Sequence, residues 1–353
     1  MTAADSAVNG DPPGLRRDAL ATYLASHRPD LATGPLRATL VAGGRSNLTY
    51  FVTDGATEYV LRRPPLGHVL ATAHDMSREY TVISALGGTA VPVPETLLMC
   101  GDDTVLGAPF YLMSRVPGEV LRTRAQTDPL PLDARRDLAY AMIDTLVALH
   151  RVDPYEVGLS QFGRPDGFLA RQVRRWAAQL DRSRSRDLPG ADELRDGLAA
   201  TVPTSPEPAI VHGDFRLDNL IVDPEKREVR AVLDWEMATI GDPLTDLGLL
   251  VTYWDVLGSE TAADNPIATA IGPAAGFPPA SDLLDRYAKT SPVDLSALPW
   301  YTALACYKLA VILEGIHYRY TQGQTVGAGF DQIGAIVPTL IASGRTTLAS
   351  LER

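Results

Sequence analysis

At 353 residues the chain exceeds the length that one hydrophobic core usually serves, so two lobes are expected. Its composition, 45% hydrophobic and 21% charged, allows a sizeable core of the kind found in globular proteins. A net charge of −11 argues against a nucleic-acid or membrane-surface role, because either usually shows a basic patch.

Met1 to Gly14 has no positively charged start and no apolar run, and Asp5, Asn9, Gly10 and Pro12-Pro13 favour a disordered tail over residues 1–14. No stretch approaches the apolar run of about 20 residues that spans a bilayer. Cys100 and Cys306 match no disulfide or zinc spacing and read as free thiols. A cytoplasmic protein is expected.

Leu15 to Ser26 reads as a short amphipathic helix stopped by Arg28-Pro29. Leu40 to Val52 then gives strand, Gly-containing turn and strand. In that turn Gly43 and Gly44 permit close backbone approach to a phosphate, and Ser46 and Asn47 add donors. Glu58 to Arg63 is the next strand, ended by Pro64-Pro65, and alternation places Val60 and Arg62 on one face with Leu61 and Arg63 on the other. Asp75 to Leu86 has helical spacing through Met76, Tyr80, Ile83 and Leu86 and ends at Gly87-Gly88. Pro109 to Gly118 reads as a hinge, with an edge strand near Met113, Ser114 and Val116.

From Asp133 onward the pattern is helical. Leu138, Met142, Leu146 and Leu149 form an apolar stripe that ends at His150. Further helices are expected over Gly167 to Leu180 and Ala191 to Ala200, and the charged run Asp181 to Asp187 between them reads as a solvated turn. Pro203 to Pro208 links to Ile210-Val-His-Gly-Asp-Phe-Arg-Leu-Asp-Asn-Leu-Ile-Val-Asp223, which reads as strand, loop and strand, and Val229 to Leu233 forms a third strand after a polar turn. Gly241 opens a helix running to about Trp254. Gly258 to Ala280 reads as a long loop or lid, and Leu298 to Tyr320 as a last helix with Lys308 in an apolar stripe.

Asp214, Asn219 and Asp234 fall at strand ends, and the interval from Asp214 to Asn219 is five residues. Phosphoryl transfer from a nucleotide requires a carboxylate near the acceptor hydroxyl and oxygen ligands for Mg²⁺, and protein kinases space these groups in the same way. His212-Gly-Asp214 departs from the protein-kinase His-Arg-Asp, and Asp234-Trp-Glu236 from Asp-Phe-Gly. With those departures the chain resembles the aminoglycoside phosphotransferase-like, or choline kinase-type, family of small-molecule kinases over about Leu40 to Tyr320. Arg-Arg-Pro-Pro beside the strand and the His-Gly-Asp-Phe-Arg-Leu-Asp-Asn form are most similar to the branch also found fused to acyl-CoA dehydrogenases.

The resemblance implies an α+β, protein-kinase-like two-lobed fold, with a strand-rich N-lobe over 15–116 and a mainly helical C-lobe over 117–353. It implies ATP and Mg²⁺ as cofactors and a small hydroxylated molecule as acceptor, a hydroxyacyl or hydroxy-acid compound ahead of an aminoglycoside. Asp214 is then the catalytic base, and Asn219 and Asp234 are the metal ligands. Gly43, Gly44, Ser46, Asn47, Val60, Met113, Ser114 and Val116 line the nucleotide, Arg62 takes the place of the phosphate-binding Lys, and Glu79 is its partner. The Arg62 replacement leaves a second expectation open, a catalytically silent nucleotide-binding or scaffolding module. Asp246 is expected to brace the catalytic loop, and His212 to steady it by hydrogen bonds.

Overall fold

Short β-rich runs in the first third of the chain build one antiparallel sheet. The computed structural model describes residues 10–41, 47–66, 75–258, 271–324 and 330–352. It divides into two units, Met1–Gly88 with Pro92–Pro117 and Asp234–Glu236, and Thr89–Val91 with Gly118–Leu233 and Met237–Arg353.

In the first unit α1 (Arg17–His27) precedes β1 (Arg37–Leu40), β2 (Leu48–Thr53) and β3 (Glu58–Arg63). Then come α2 (Met76–Leu86), β4 (Thr96–Cys100), α3 (Asp103–Leu106) and β5 (Phe110–Ser114). The sheet order is β1-β2-β3-β5-β4. Strand alternation sends Tyr59 and Leu61 into an apolar cluster with Leu20 and Leu24 of α1, Tyr50, Val52, Phe110 and Leu112. Arg63 shares that face and donates to Leu106 O at 2.8 Å and to Gly14 O. Tyr50 donates to Pro13 O, so the expected disordered tail does not extend to Pro13 and Gly14: two buried side chains bond their carbonyls.

Val60 and Arg62 take the opposite face, and α2 supplies Glu79 to it. Asp75 caps α2 by accepting from Ser77 N at 3.0 Å and Arg78 N at 3.2 Å. Its buried positions are Met76, Glu79, Val82, Ile83 and Leu86, so a carboxylate lies within the inward stripe where the sequence pattern suggested Tyr80. The expected edge strand near Met113 is interior instead. β4 covers it, and Ser114 N donates to Glu95 O at 2.8 Å while Ser114 Oγ accepts from Glu95 N at 2.9 Å.

The second unit holds α4 (Arg124–Thr127), α5 (Leu132–Arg151), α6 (Phe168–Ser183), α7 (Ala191–Ala200) and β6 (Ala209–Val211). β7 (Leu220–Asp223), β8 (Glu228–Val232), β9 (Thr239–Gly241) and α8 (Leu244–Val251) follow, and α8 continues as a π-helical turn over Thr252–Leu257. The last helices are α9 (Ala280–Thr290), α10 (Leu298–Thr321) and α11 (Val337–Ala349). α10 is the spine, packed against α6, α7, α8 and α11. It approaches α8 so closely that a Cβ on Gly248 would lie 2.5 Å from the Tyr301 carbonyl oxygen.

β7 and β8 form the expected hairpin, whereas β6 pairs with β9 in the register Val211↔Thr239. The run Asp181 to Asp187 is solvent-facing as expected, with no residue of it buried, yet two of its side chains also reach inward: Arg186 and Ser185 bond the fully buried Glu314 of α10, at 2.9 Å and 3.0 Å. Of the expected lid, residues 259–270 lie outside the described residues. Among the described residues no helix is long and apolar enough to cross a membrane.

Candidate active site

The residues expected to carry chemistry fall into two groups, one in each unit. In the larger unit β6 delivers the loop His212-Gly213-Asp214, and α8 supplies the buried Asp246 that holds it. Asp246 Oδ2 accepts from His212 N at 2.8 Å and Oδ1 from Gly213 N at 2.7 Å. His150, at the end of α5, adds a contact to Asp246 Oδ2 at 3.3 Å, and its other nitrogen meets the Tyr287 hydroxyl at 2.9 Å. Burial pushes the Asp246 carboxyl up, but the His150 hydrogen bond, the nearby histidines and the backbone donors outweigh it and leave it below the usual carboxylate range.

Gly213 sits at φ +84°, and a Cβ there would meet Met237 O at 2.7 Å, so the turn requires glycine. His212 Nδ1 accepts from Asp214 N at 3.2 Å and Nε2 donates to Leu233 O at 2.8 Å, which places the ring proton on Nε2. The imidazole thus ties the loop to the end of β8 and leaves neither nitrogen for proton transfer.

The loop presents Asp214. Asn219 Nδ2 donates to both Asp214 Oδ2 and Asp214 O at 2.9 Å, holding the carboxylate by its own side chain and backbone. Arg216 Nε lies 3.4 Å from Asp214 Oδ2, and the same guanidinium pairs with Asp218 at 3.0 Å and stacks over Tyr253, 4.6 Å from the ring centre. Tyr253 reaches this place on the π-helical turn after α8, and burial, then the Asp214 charge, push its hydroxyl far up. Lys308 of α10 donates to Gly213 O at 2.8 Å. Burial pushes its pKa down, against the pull of Asp214 and Asp246.

In the smaller unit Arg62 is shared between Glu79 Oε1 at 3.0 Å and Asp234 Oδ1 at 3.1 Å. Burial pulls the guanidinium down and the carboxylates more than reverse it; Glu79 is raised by burial, with Asp234 adding to the rise and Arg62 opposing it. Asp234 has φ +66°, a left-handed conformation rare outside glycine, held at the end of β8. Two residues on, Glu236 Oε2 accepts from Asn47 Nδ2 at 3.3 Å.

The family sequence model described as "Phosphotransferase enzyme family" matches residues 37–277. The chain belongs to this family. This phosphotransferase-family chain is 34% identical over 325 residues to "Acyl-CoA dehydrogenase family member 11" of Gallus gallus, covering 90% of its own length and 41% of that protein's. It therefore spans about two fifths of that curated relative. The solved structure described as a "putative aminoglycoside phosphotransferase" from Ralstonia eutropha JMP134 superposes with TM-score 0.80 at 30% identity, covering 95% of this chain and 98% of that one. A ternary complex of aminoglycoside phosphotransferase APH(4)-Ia with AMP-PNP and hygromycin B matches at TM-score 0.60 and 14% identity over 94% and 98% of the two chains. That likeness shows the α+β kinase-like fold, with its five-stranded antiparallel sheet and helical second part.

In this family member the structure brings together Asp214 with Asn219, and Arg62 with Glu79 and Asp234. Val60 and Met113 are directly opposite on β3 and β5, while Ser114 ends β5 and Val116 lies beyond it. Gly43, Gly44 and Ser46 lie outside the described residues. Sequence reading missed Glu236, Arg216, His150 and Tyr253 as members of the two groups. Only His150 carried a signal, as the polar end of the α5 stripe.

In the larger unit the two hydrogen bonds from Asn219 Nδ2 orient its amide so that Oδ1 is an oxygen that could ligate Mg²⁺; in the smaller unit Asp234 is a carboxylate of the kind that could do so. Among the described residues no group of three or more His, Cys, Asp or Glu could hold a metal ion.

Proposed function

We propose that the chain transfers the γ-phosphoryl group of ATP to a hydroxyl of a small molecule in a Mg²⁺-dependent reaction. The observation that carries this reading is the Asp214 carboxylate, clamped by Asn219 at 2.9 Å on a loop whose backbone N–H groups are fixed by Asp246. Such a group is oriented in advance for an acceptor hydroxyl. Asp214 takes the hydroxyl proton as the hydroxyl oxygen bonds to the γ-phosphorus and the bond to the β–γ bridging oxygen breaks, releasing ADP. Arg62, held by Glu79, orients the phosphates, with Gly43, Gly44, Ser46 and Asn47 as the phosphate loop. Val60, Met113, Ser114 and Val116 flank the adenine. Asn219 and Asp234 would hold Mg²⁺, which neutralises phosphate charge. Residues 15–116 serve as the N-lobe and 117–353 as the C-lobe, and the protein works in the cytoplasm.

A hydroxyacyl or hydroxy-acid acceptor is preferred to an aminoglycoside, on the support of the acyl-CoA dehydrogenase relative. An ATP-consumption screen over hydroxyacyl-CoAs, hydroxy acids, amino alcohols, sugars and aminoglycosides tests the reading. Turnover that needs Mg²⁺ and falls by roughly 10²- to 10⁴-fold in Asp214→Asn is the expected result. The second reading, a silent nucleotide-binding or scaffolding module, is favoured by the Arg62–Asp234 ion pair, which occupies a candidate metal ligand. ATP binding without turnover on any acceptor would select it.

A further inference from the structure

The chain is acidic overall, yet the N-terminal half of α6 and the loop before it wall a cavity of about 480 Å³ with Arg164, Arg171, Arg174 and Arg175, floored by Phe168 and Thr239. Among the described residues none of the four arginines has a carboxylate partner, whereas Arg184 and Arg186 just beyond α6 pair with Asp192 and Glu314. Arg171 donates to the Asp166 and Arg164 carbonyls and so fixes the loop that carries Arg164. That loop is also seated on β9: a Cβ on Gly163 would lie 2.5 Å from Ile240 N and 2.7 Å from Thr239 Oγ1.

Two connections join this cavity to the catalytic loop within the same unit. Thr239 pairs with Val211, three residues before Asp214. Arg175 lies over Trp176, 5.2 Å from the ring centre, and Lys308 is 5.8 Å from the same ring while it donates to Gly213 O. The Arg175 charge is felt at Lys308, where it adds to the downward push of burial.

From this placement we infer that the arginine cavity binds a phosphate or pyrophosphate group carried by the acceptor. The inference rests on the phosphotransferase reading and adds a substrate class to it. One carboxylate is satisfied by a single bidentate guanidinium, whereas several arginines around one cavity match an oxyanion with two or more charges. A polycationic acceptor would be repelled there.

Two measurements test this. The first is calorimetry of inorganic pyrophosphate with the full chain saturated in AMP-PNP and Mg²⁺. The wild type should bind pyrophosphate, and the Arg174→Gln/Arg175→Gln double variant should bind it at least about tenfold more weakly with AMP-PNP affinity unchanged. Both arginines are exposed on α6, so folding should survive the change. No pyrophosphate binding by the wild type, or equal binding by both proteins, overturns the site. Failure of AMP-PNP to bind counts against the nucleotide reading alone.

The second measurement compares turnover on matched hydroxy compounds with and without a terminal phosphate or pyrophosphate. The wild type should favour the phosphorylated member of each pair, and the double variant should lose that preference. If pyrophosphate binds but no preference exists, the cavity takes free anions and the acceptor assignment falls.

Discussion

Asp246 and Glu79 are carboxylates of nearly equal burial, 0% and 1% exposed, yet the two environments act on them in opposite directions. Asp246 receives two backbone N–H groups and the His150 imidazole, and its carboxyl is held below the ordinary range. Glu79 has Arg62 as its cationic partner, shares that cation with Asp234, and is raised. Among the described residues the Arg62 Nε and the Asn47 Oδ1 of the same unit, both buried, have no hydrogen-bond partner. A network with its acceptor lone pairs filled fixes a loop in one geometry. A buried pair with polar atoms left over gains from a further charged ligand, and phosphate oxygens are of the kind a guanidinium binds bidentately. On the proposed function, the larger unit supplies fixed positioning and the smaller one a response to nucleotide.

The largest effect that would break this contrast lies at the group the braced loop presents. Asp214→Asn should lower turnover by roughly 10²- to 10⁴-fold, the range for a positioned acid or base, with unfolding free energy near that of the wild type because the carboxylate is at the loop tip. Steady-state kinetics and urea unfolding read both quantities. Unchanged turnover would remove Asp214 from the mechanism.

Asp246→Ala should act on the brace itself. Deleting it leaves His212 N and Gly213 N without their acceptor and His150 without its carboxylate, so a stability loss of about 3–5 kcal/mol is expected. A loss under about 1 kcal/mol would mean that the loop is held by other contacts. Arg62→Ala should weaken ATP by about 10- to 100-fold with adenosine little affected, since only the phosphates use the charge. Arg62→Lys, which keeps the charge but loses the fork, should recover part of that affinity. Equal losses for ATP and adenosine would show that Arg62 only supports the sheet.

How much of this was legible depended on distance along the chain. Asp214 and Asn219 are five residues apart, and strand alternation in Glu58–Arg63 set Arg62 apart from Arg63, so both could be placed from local pattern. The pairing of β6 with β9 could not: each strand is three residues long and the 27 residues 212–238 of loop, hairpin and turn separate them. Glu236 meets Asn47 across 189 positions with no periodicity to announce it. Arg171, Arg174 and Arg175 are a different case, because their i, i+3, i+4 spacing on α6 is a readable helical face. The run Asp181 to Asp187 is solvent-facing as its charge density suggests, but its bonds to the buried Glu314 are not legible from local pattern, because that carboxylate lies 128 positions from Arg186.

The subtlest test of the contrast is the sign of its pH dependence. A carboxyl depressed on folding contributes stability that is present above its unfolded value, near 3.9 for Asp, and is lost as pH falls through the lower folded value. Asp246 is in that class, with His150, His212, Lys308 and Tyr287 among the charged or titratable groups near it. Wild type should therefore exceed Asp246→Asn in stability by its full margin at neutral pH, and the margin should shrink below about pH 4. A carboxyl raised on folding does the reverse: its contribution is present below the unfolded value, near 4.3 for Glu, and is lost as pH rises through the higher folded value. Glu79 is in this class, facing Arg62, Asp234 and Tyr111. The stability of wild type relative to Glu79→Gln should thus decline as pH rises above about 4.3. Urea unfolding of the three proteins between about pH 3 and 8 gives both difference curves, and they should slope in opposite senses. Parallel curves would mean that the two carboxylates sit in equivalent environments, and the division between a fixed brace and a ligand-responsive pair would not stand.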